Sequence, residues 1–286
     1  MPQPAGVLRE IVEHKREEVA RAKAATPLSE LEGMVAQAEP ARNFFRAVTR
    51  HPDAVHMSII AEVKRKSPSA GWIRPEFEAE TFAPEVAARA YHGAGAAAIS
   101  CLTDEKYFAG RLDYLERVRQ AVPLPVLRKD FIIDPWQLWE TRAAGADAVL
   151  LIAECLNESE LVDMLILAQQ LQLTVLLEAH DMENLLRVIP HVGFPHPGYF
   201  LLGINNRDLS TMKVDLNHTT RLADVAEKMI HTRSILVSES GISTREDLLK
   251  LRGAGVRIAL VGEHLMRQED PGAALAALLK SSFAAP

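Results

Sequence analysis

Short runs of apolar and β-branched residues recur along the chain between residues 58 and 262, and segments with helical periodicity separate them. Each gap is long enough for a helix and two loops, which is what a crossover between parallel strands requires. The predicted strands are 58–64, 96–102, 125–130, 147–153, 173–178, 199–205, 234–239 and 257–262. This alternation predicts an α/β fold with a parallel sheet.

Three junctions between a predicted helix and the next strand contain glycine. They are Gly93-Ala94-Gly95, Gly145-Ala146-Asp147 and Gly253-Ala254-Gly255. Glycine at such a junction typically ends a helix in the left-handed conformation. The first motif is not a dinucleotide-binding fingerprint, because it precedes a strand and the fingerprint follows one.

The eight predicted strands, each followed by a helical segment, form eight βα units. They predict a (β/α)8 TIM barrel, with a doubly wound sheet as the alternative.

The N-terminal part of the chain precedes this alternation. Residues 6–24 show helical periodicity with one charged face, and a second helix is predicted over 29–38 with Ser29 as its N-cap. We therefore expect an N-terminal helical extension packed on the barrel, residues 1–50, and a catalytic barrel, residues 51–286. The extension would cover either apolar barrel surface or the mouth of an active site.

Composition narrows the class of protein. The 286 residues are 48% hydrophobic and carry a formal net charge of −6, so no global charge favours nucleic acid or an anionic membrane. The two cysteines, Cys101 and Cys155, are expected to be buried thiols, which fits a reducing compartment. No signal peptide or membrane span is predicted, so we expect a soluble, cytoplasmic protein. We separately expect a monomer or homodimer with a small-molecule substrate.

Polar side chains stand at the carboxyl ends of most predicted strands. In the first strand Ile60, Glu62 and Lys64 share one face, and the opposite face is apolar. Buried unpaired charges are costly, so Glu62 and Lys64 on a strand face indicate a functional role. The alternative is an edge strand with one solvated face. Other strand ends carry Lys129, Glu178, Asn205, Arg207, Glu239 and Ser240. Because strand ends converge in a barrel, we expect all of these side chains to surround one opening.

This ring of side chains suits two kinds of chemistry. Gly241 and Gly262 follow the last two strands, where barrels commonly bind phosphate on backbone N–H groups, and the Ser67 hydroxyl can add to such a site. Lysine and glutamate neighbours in a partly dry pocket can have shifted pKa values and act as general acid and base.

A set of segments resembles one known family: I-I-A-E-V-K-R-K-S-P-S, L-T-D-E-K-Y-F, V-L-R-K-D-F-I-I-D, A-D-A-V-L-L-I, G-I-N-N-R-D-L, S-E-S-G-I-S and V-G-E-H-L-M-R. In their order they are similar to the indole-3-glycerol phosphate synthases of tryptophan biosynthesis, over nearly the whole chain. The resemblance implies a carboxy-lyase that converts 1-(2-carboxyphenylamino)-1-deoxyribulose 5-phosphate to indole-3-glycerol phosphate, with loss of CO2 and water. It implies no cofactor and no metal.

The resemblance also implies roles for the matching residues. Lys129 would be the general acid on the substrate carbonyl, and Glu178 would work with it in proton transfer and dehydration. The other implied catalytic residues are Glu62, Lys64, Asn205 and Ser240. The implied substrate contacts are Arg207, Glu239, Phe108, Phe131, Leu150, Leu209 and Leu260. The implied phosphate site is formed by Ser67, Gly241, Gly262 and Glu263.

Some positions depart from the family pattern or match it loosely. Glu263 and His264 stand where small hydroxyl residues are common, so we expect the Glu263 carboxylate to point away from a bound phosphate. The proline-rich segment 190–198 is expected to be a variable surface loop. His180 is expected to be a solvated loop residue rather than a proton relay.

Two other functions remain open at this point. A phosphoribosylanthranilate isomerase would typically use a cysteine and an aspartate, and it lacks the paired Glu62 and Lys64 and the R-K-D-F segment. Cys101 lies on the second predicted strand, which suits that role poorly. A non-catalytic barrel that binds a phosphorylated metabolite would be expected to lack some of the polar side chains around the opening. This sequence has all of them.

Overall fold

A closed barrel of parallel strands forms the centre of the computed structural model, which describes residues 6–50, 57–79, 81–208, 213–231 and 233–280. Within those residues the barrel strands are β1 (Ser58–Val63), β2 (Ala98–Leu102), β3 (Val126–Lys129), β4 (Ala148–Ile152), β5 (Thr174–Ala179), β6 (Phe200–Asn205), β7 (Leu236–Glu239) and β8 (Ile258–Val261). Each strand pairs with its neighbours in sequence, and β1 pairs with both β2 and β8. The predicted (β/α)8 TIM barrel is confirmed.

Helices follow the strands and surround the barrel. In the described parts of the chain they are α1 (Gly6–Ala25), α2 (Leu28–Gln37), α3 (Phe44–Thr49), α4 (Pro84–Gly93), α5 (Glu105–Phe108), α6 (Asp113–Ala121), α7 (Pro135–Ala143), α8 (Glu158–Gln170), α9 (Met182–Val188), α10 (Asn217–Ile230), α11 (Arg245–Gly253), α12 (Glu263–Met266) and α13 (Pro271–Leu279). A short hairpin, Lys66–Ser67 with Gly71–Trp72, follows β1. None of these helices is long and apolar enough to cross a membrane.

Strand β1 is buried on both faces, as a barrel strand must be. Ile59, Ala61 and Val63 belong to the core between the strands and the outer helices. Ile60 belongs to a separate core inside the barrel. The predicted division of β1 into two faces is therefore confirmed.

The predicted glycine junctions have the expected backbone. Gly95, Gly145 and Gly255 have φ angles of 94°, 84° and 77° respectively, each just after a helix ends. This is the left-handed region, which a residue with a Cβ adopts only at a cost. The repeated junction thus turns each helix back towards the next strand.

The first three helices contact both ends of the barrel. Near the carboxyl ends of the strands, the fully buried Lys15 of α1 lies 3.0 Å from Asp104 and 2.9 Å from Asp130. At the opposite end, Phe44 and Val48 of α3 are fully buried in the inner core. Between them α2 begins at Leu28 with no side-chain cap, so the prediction of a Ser29 N-cap is wrong.

Both cysteines are free thiols in the structure. Cys101 is fully buried on β2, and Cys155 is half-buried just after β4. Burial raises the pKa of both thiols, so they are held in the unreactive protonated form.

Candidate active site

A cavity of about 420 Å³ opens at the carboxyl ends of the strands. The sequence-predicted residues that line it are Glu62, Lys64, Ser67, Phe108, Lys129, Phe131, Leu150, Glu178, Asn205, Arg207, Glu239, Ser240, Gly241, Leu260, Gly262 and Glu263. Leu209 lies outside the described residues. Residues from distant parts of the sequence therefore meet at one opening, as expected for a barrel.

The first charged pair lies where β1 ends. Lys64 Nζ is 2.8 Å from Glu62 Oε1, and the two side chains are only 13% and 6% exposed. A Cβ at Gly262 would lie 2.3 Å from that same carboxylate oxygen. Glycine at this position on the adjacent strand end therefore makes room for Glu62, which the sequence pattern alone did not reveal.

Lys129 lies between two carboxyl groups in the centre of the cavity. Its Nζ is 3.1 Å from Glu178 Oε2 and 3.3 Å from Glu239 Oε2. Burial lowers the pKa of Lys129, but Glu178 and Glu239 outweigh burial and the pKa is raised above its usual value. Lys129 is thus held as an ammonium group.

The two carboxyl groups differ in their protonation. Burial raises the pKa of Glu178, but Lys129 and His180 outweigh it and hold that pKa well below its usual value. Burial raises the pKa of Glu239, and its neighbour Glu178 raises it further, well above the usual value. One lysine beside two buried carboxyls favours a proton held by the carboxyl pair, and such a pair can pass a proton.

Gly203 in β6 makes room for the carboxyl group of Glu239. A Cβ at Gly203 would lie 2.3 Å from Glu239 Oε1 and 3.4 Å from the Glu178 backbone. Gly203 lies on the strand between those of Glu178 and Glu239. The sequence analysis did not single out this residue, because a glycine within an apolar strand gives no signal of what approaches it.

His180 differs from its prediction as a solvated loop residue. Its side chain is only 9% exposed, with Nε2 3.1 Å from Glu178 Oε1 and Nδ1 3.1 Å from Glu154 Oε2. Burial lowers the pKa of His180, but the two carboxylates outweigh burial and raise it to about 10. The prediction is wrong because the turn after β5 folds inward against Glu154.

One end of the cavity is cationic and rich in backbone N–H groups. Arg207 donates a hydrogen bond of 3.1 Å to the Ser69 hydroxyl. Ser240 and Gly241 have φ angles of 69° and 80°, and a Cβ at Gly241 would lie 2.2 Å from Val214. The Val214 side chain fills the space that a Cβ at Gly241 would need, and the positive φ favours glycine there as well.

The Glu263 carboxylate does not point away from the cavity as expected. It lies 3.3 Å from Arg207 and 2.8 Å from Arg267, and both Glu263 and Arg267 line the cavity. Two arginines on one carboxylate explain the orientation, because each compensates for its partial burial. Arg267 was not predicted from the sequence.

The other end of the cavity is apolar. Phe108 and Phe131 have ring centroids 6.1 Å apart. Residues Val7, Leu8 and Ile11 of α1 also line the cavity. The first helix therefore contributes to the site, in agreement with the expectation that the extension covers either barrel surface or an active-site mouth.

Segment 190–198 lies away from these residues. It contains two short 3-10 turns, Ile189–His191 and Pro197–Tyr199, and Phe194 is 41% exposed. The expected surface loop is confirmed. Among the described residues, no group of three or more His, Cys, Asp and Glu side chains is arranged to hold a metal ion.

Comparison with known proteins identifies sequence relatives of this chain. The indole-3-glycerol phosphate synthase family model matches residues 8–278. A relative of that name from Rhodospirillum rubrum is 46% identical over 273 residues, which cover 96% of this chain and 98% of the relative. Another from Rhodopirellula baltica is 46% identical over 275 residues, covering 96% of this chain and 99% of the relative.

Solved structures show the same fold at low identity. A 3-hexulose-6-phosphate synthase superposes with a TM-score of 0.59 at 17% identity, covering 78% of this chain and 99% of that one. Its likeness concerns the fold alone, whereas the family model and the relatives match nearly the whole sequence. The chain belongs to the indole-3-glycerol phosphate synthase family.

Proposed function

We propose that this cavity converts 1-(2-carboxyphenylamino)-1-deoxyribulose 5-phosphate to indole-3-glycerol phosphate, the activity that names the family. The observation that carries the proposal is the position of Lys129, 3.1 Å from Glu178 and 3.3 Å from Glu239 in a single cavity. Such a group can both donate and accept protons next to a bound substrate. Neither the isomerase nor the non-catalytic alternative is favoured by any observation.

The cavity suits a substrate with an anion at each end. We assign the phosphate to Ser67, the backbone of Gly241 and Gly262, and Arg207, with Glu263 releasing Arg207 as the phosphate binds. We assign the substrate carboxylate to Lys64 and the aromatic ring to Phe108 and Phe131. Leu150 and Leu260 complete the apolar wall.

Ring closure begins with Lys129. Its ammonium protonates the ketone oxygen, and the ring carbon that bears the carboxylate then bonds to the activated carbonyl carbon. The bond to the carboxylate breaks, CO2 leaves, and the electron pair restores the aromatic ring. Holding the substrate with its two reacting carbons close together lowers the barrier, because binding has already removed the conformational entropy that ring closure costs.

Dehydration completes the reaction. The former ketone oxygen takes a second proton and leaves as water, while Glu178 accepts a proton from the adjacent CH2 carbon. The net uptake of one proton balances the loss of the carboxylate charge. Asn205 donates a 3.1 Å hydrogen bond to Glu178, and Ser240 and the protonated Glu239 face the departing hydroxyl.

The proposal includes the division of the chain and its location. The contacts of α1 and α3 with opposite ends of the barrel support an extension over residues 1–50 and a barrel over residues 51–286. The free thiols Cys101 and Cys155 support a reducing compartment, and hence the cytoplasm. We propose a monomer or a homodimer.

The test is direct conversion of the substrate. Purified protein is mixed with the carboxyphenylamino-deoxyribulose phosphate, and indole absorbance and fluorescence are followed with time. Phosphoribosylanthranilate is offered in parallel, and Lys129→Ala is the control for contaminating activity. Indole formation by the unaltered protein supports the proposal, and turnover of phosphoribosylanthranilate alone would replace it with the isomerase.

A further inference from the structure

We propose that His180 is a positioning residue that works as a doubly protonated imidazolium clamped between Glu154 and Glu178. In this role it keeps Glu178 ionised and fixes which carboxylate oxygen faces the substrate. The inference rests on the proposed function of Glu178 as a proton acceptor, and it assigns a task to a histidine and to a carboxylate that this mechanism does not otherwise use.

Both ring nitrogens of His180 face a carboxylate oxygen. Nδ1 forms a hydrogen bond of 3.1 Å with Glu154 Oε2. Nε2 lies 3.1 Å from Glu178 Oε1, at ion-pair distance but without hydrogen-bond geometry. A neutral imidazole has one N–H and one lone pair, so one of its nitrogens would direct a lone pair at a carboxylate. A lone pair on Nε2 would be repelled by the Glu178 carboxylate 3.1 Å away, so this contact favours a hydrogen on Nε2 as well as on Nδ1, which makes the ring a cation.

Backbone contacts hold the ring in this position. The His180 N–H donates a 3.0 Å hydrogen bond to Glu154 Oε1, so Glu154 contacts the residue twice. From α10, His218 donates from Nε2 to the His180 carbonyl at 2.7 Å. From α9, Arg187 donates to the carbonyl of Ala153, next to Glu154. The side chain therefore has little freedom to turn away from Glu178.

Two other charged groups near His180 contact different residues. Asp181 accepts hydrogen bonds from the N–H and side chain of Asn184, where it caps α9. Lys129 lies on the other side of Glu178, at its Oε2 atom, and next to Glu239. Glu154 and Glu178 are thus the carboxylates that the imidazolium contacts, and they outweigh its burial to raise the pKa of His180 to about 10.

His180 and Asn205 both contact Glu178 Oε1 but do different things. Asn205 Nδ2 donates a neutral hydrogen bond at 3.1 Å, which orients the carboxylate. His180 adds a positive charge at the same oxygen, which favours the ionised form. Burial favours a protonated Glu178, and the charges of Lys129 and His180 together keep it ionised and able to accept a proton.

The first experiment observes the ring in the unaltered protein. Nitrogen NMR of the ¹⁵N-histidine-labelled chain, with the His180 signals assigned from His180→Gln, reports whether each ring nitrogen carries hydrogen. We expect both nitrogens protonated throughout the neutral range, with titration only near the raised pKa of about 10. A His180 ring that loses its proton between about pH 6 and about pH 8, the usual range for histidine, would overturn the clamp.

The second experiment measures how the positive charge of His180 affects catalysis. In His180→Gln, which keeps a donor but removes the charge, we expect kcat to fall about tenfold while KM stays within about twofold. The acid limb of the kcat–pH profile should move upward by about one unit, as for loss of an opposite charge next to a carboxylate. A fall in kcat without a shift of the acid limb of the pH profile would show that His180 has only a structural role.

Two further variants complete the design. Glu154→Gln removes the outer carboxylate without touching the cavity, and should lower the pKa of His180 and reproduce part of the shift in the kcat profile. Glu158→Gln removes an exposed carboxylate that pairs with His191 and lies 3.7 Å from Arg187, outside the cavity, and should change neither. If the protein forms no indole, the proposed function fails, while the NMR experiment on the free protein still decides the state of His180.

Discussion

Two lysines, Lys15 and Lys129, are each set between buried carboxyl groups, and they differ in how the charges balance. Lys15 contacts Asp104, Asp130 and the partly exposed Glu18. Arg128 adds a second cation, 3.1 Å from Asp130 and 2.8 Å from Glu140. Lys129 contacts Glu178 and Glu239, and borders the cavity. The first group fastens α1 to the barrel, and the second lies where the substrate is expected.

The difference appears in the protonation of the carboxyl groups. Burial raises the pKa of Asp130, but Lys15 and Arg128 outweigh it and hold that pKa far below its usual value. Burial and Glu178 together raise the pKa of Glu239 well above its usual value. Asp130 thus has two cations against it, whereas Glu239 has one cation and a neighbouring carboxylate, which favours retention of a proton at the site.

The largest effect is expected on turnover when Lys129 is replaced. Lys129→Ala should lower kcat by at least about a hundredfold, because the general acid is lost. Stability should change little, because Glu178 can take up a proton in place of the lost cation. Steady-state kinetics and thermal unfolding measure the two effects, and near-normal turnover would remove Lys129 from the acid role.

Glu178→Gln should also act on chemistry more than on binding. We expect kcat to fall by about a hundredfold, the range for a lost proton acceptor, while KM changes by a much smaller factor. The glutamine keeps the hydrogen bond with Asn205 but cannot accept a proton. A large rise in KM with little change in kcat would recast Glu178 as a binding residue.

Replacing Lys15 should produce the opposite pattern. Lys15→Met leaves Asp104 and Asp130 buried without their lysine, which should lower the free energy of unfolding by about 3 kcal/mol. Because α1 lines the cavity, KM should rise more than kcat falls. Urea unfolding and steady-state kinetics measure both quantities.

The matched control for Lys15 lies on the same helix. Lys23 pairs with Asp134 at 2.9 Å, but its side chain is 46% exposed. Lys23→Met should therefore change the free energy of unfolding by less than about 1 kcal/mol, as for exposed ion pairs. Equal losses in the two variants would show that burial does not set the strength of the α1 attachment.

The smallest effect concerns the pH dependence of stability. Because the pKa of Glu239 is raised in the folded state, this carboxyl disfavours the fold as pH rises above the ordinary glutamate pKa. Glu239→Gln should therefore lose activity yet match or exceed the stability of the unaltered protein at neutral pH. A clear loss of stability at neutral pH, absent in acid, would show that Glu239 is ionised and favourably paired.

Asp130 changes the pH dependence of stability in the opposite direction to Glu239. Its depressed pKa adds stability at pH values above the ordinary aspartate pKa, and that stability is lost as pH falls towards the depressed value. Acid unfolding of the unaltered protein should therefore be steeper than that of Lys15→Met, in which Asp130 has lost its lysine.

The sequence predicted the barrel and most of the cavity because both follow from local patterns. Strand periodicity placed Lys64, Lys129 and Glu178 at strand ends, and barrel closure brings strand ends together. Strand limits differ from the predictions by no more than a few residues; for example, β7 begins at Leu236 rather than at residue 234.

What the sequence missed depends on contacts between distant segments. His180 was predicted to be solvated because its burial comes from Glu154, which lies on a different turn. Gly203 and Gly262 gave no sign of the carboxyls that approach them from neighbouring strands. Lys15 fits the helical pattern of α1, but only the fold shows that its partners are Asp104 and Asp130.

The most direct test of a single proton-transferring group is a double-mutant cycle on Lys129 and Glu178. The cycle compares kcat for Lys129→Ala, Glu178→Gln and the double variant under identical conditions. If the two residues act as one unit, the double variant should be about as slow as the slower single variant. If the two losses multiply, Lys129 and Glu178 act independently, which contradicts the account.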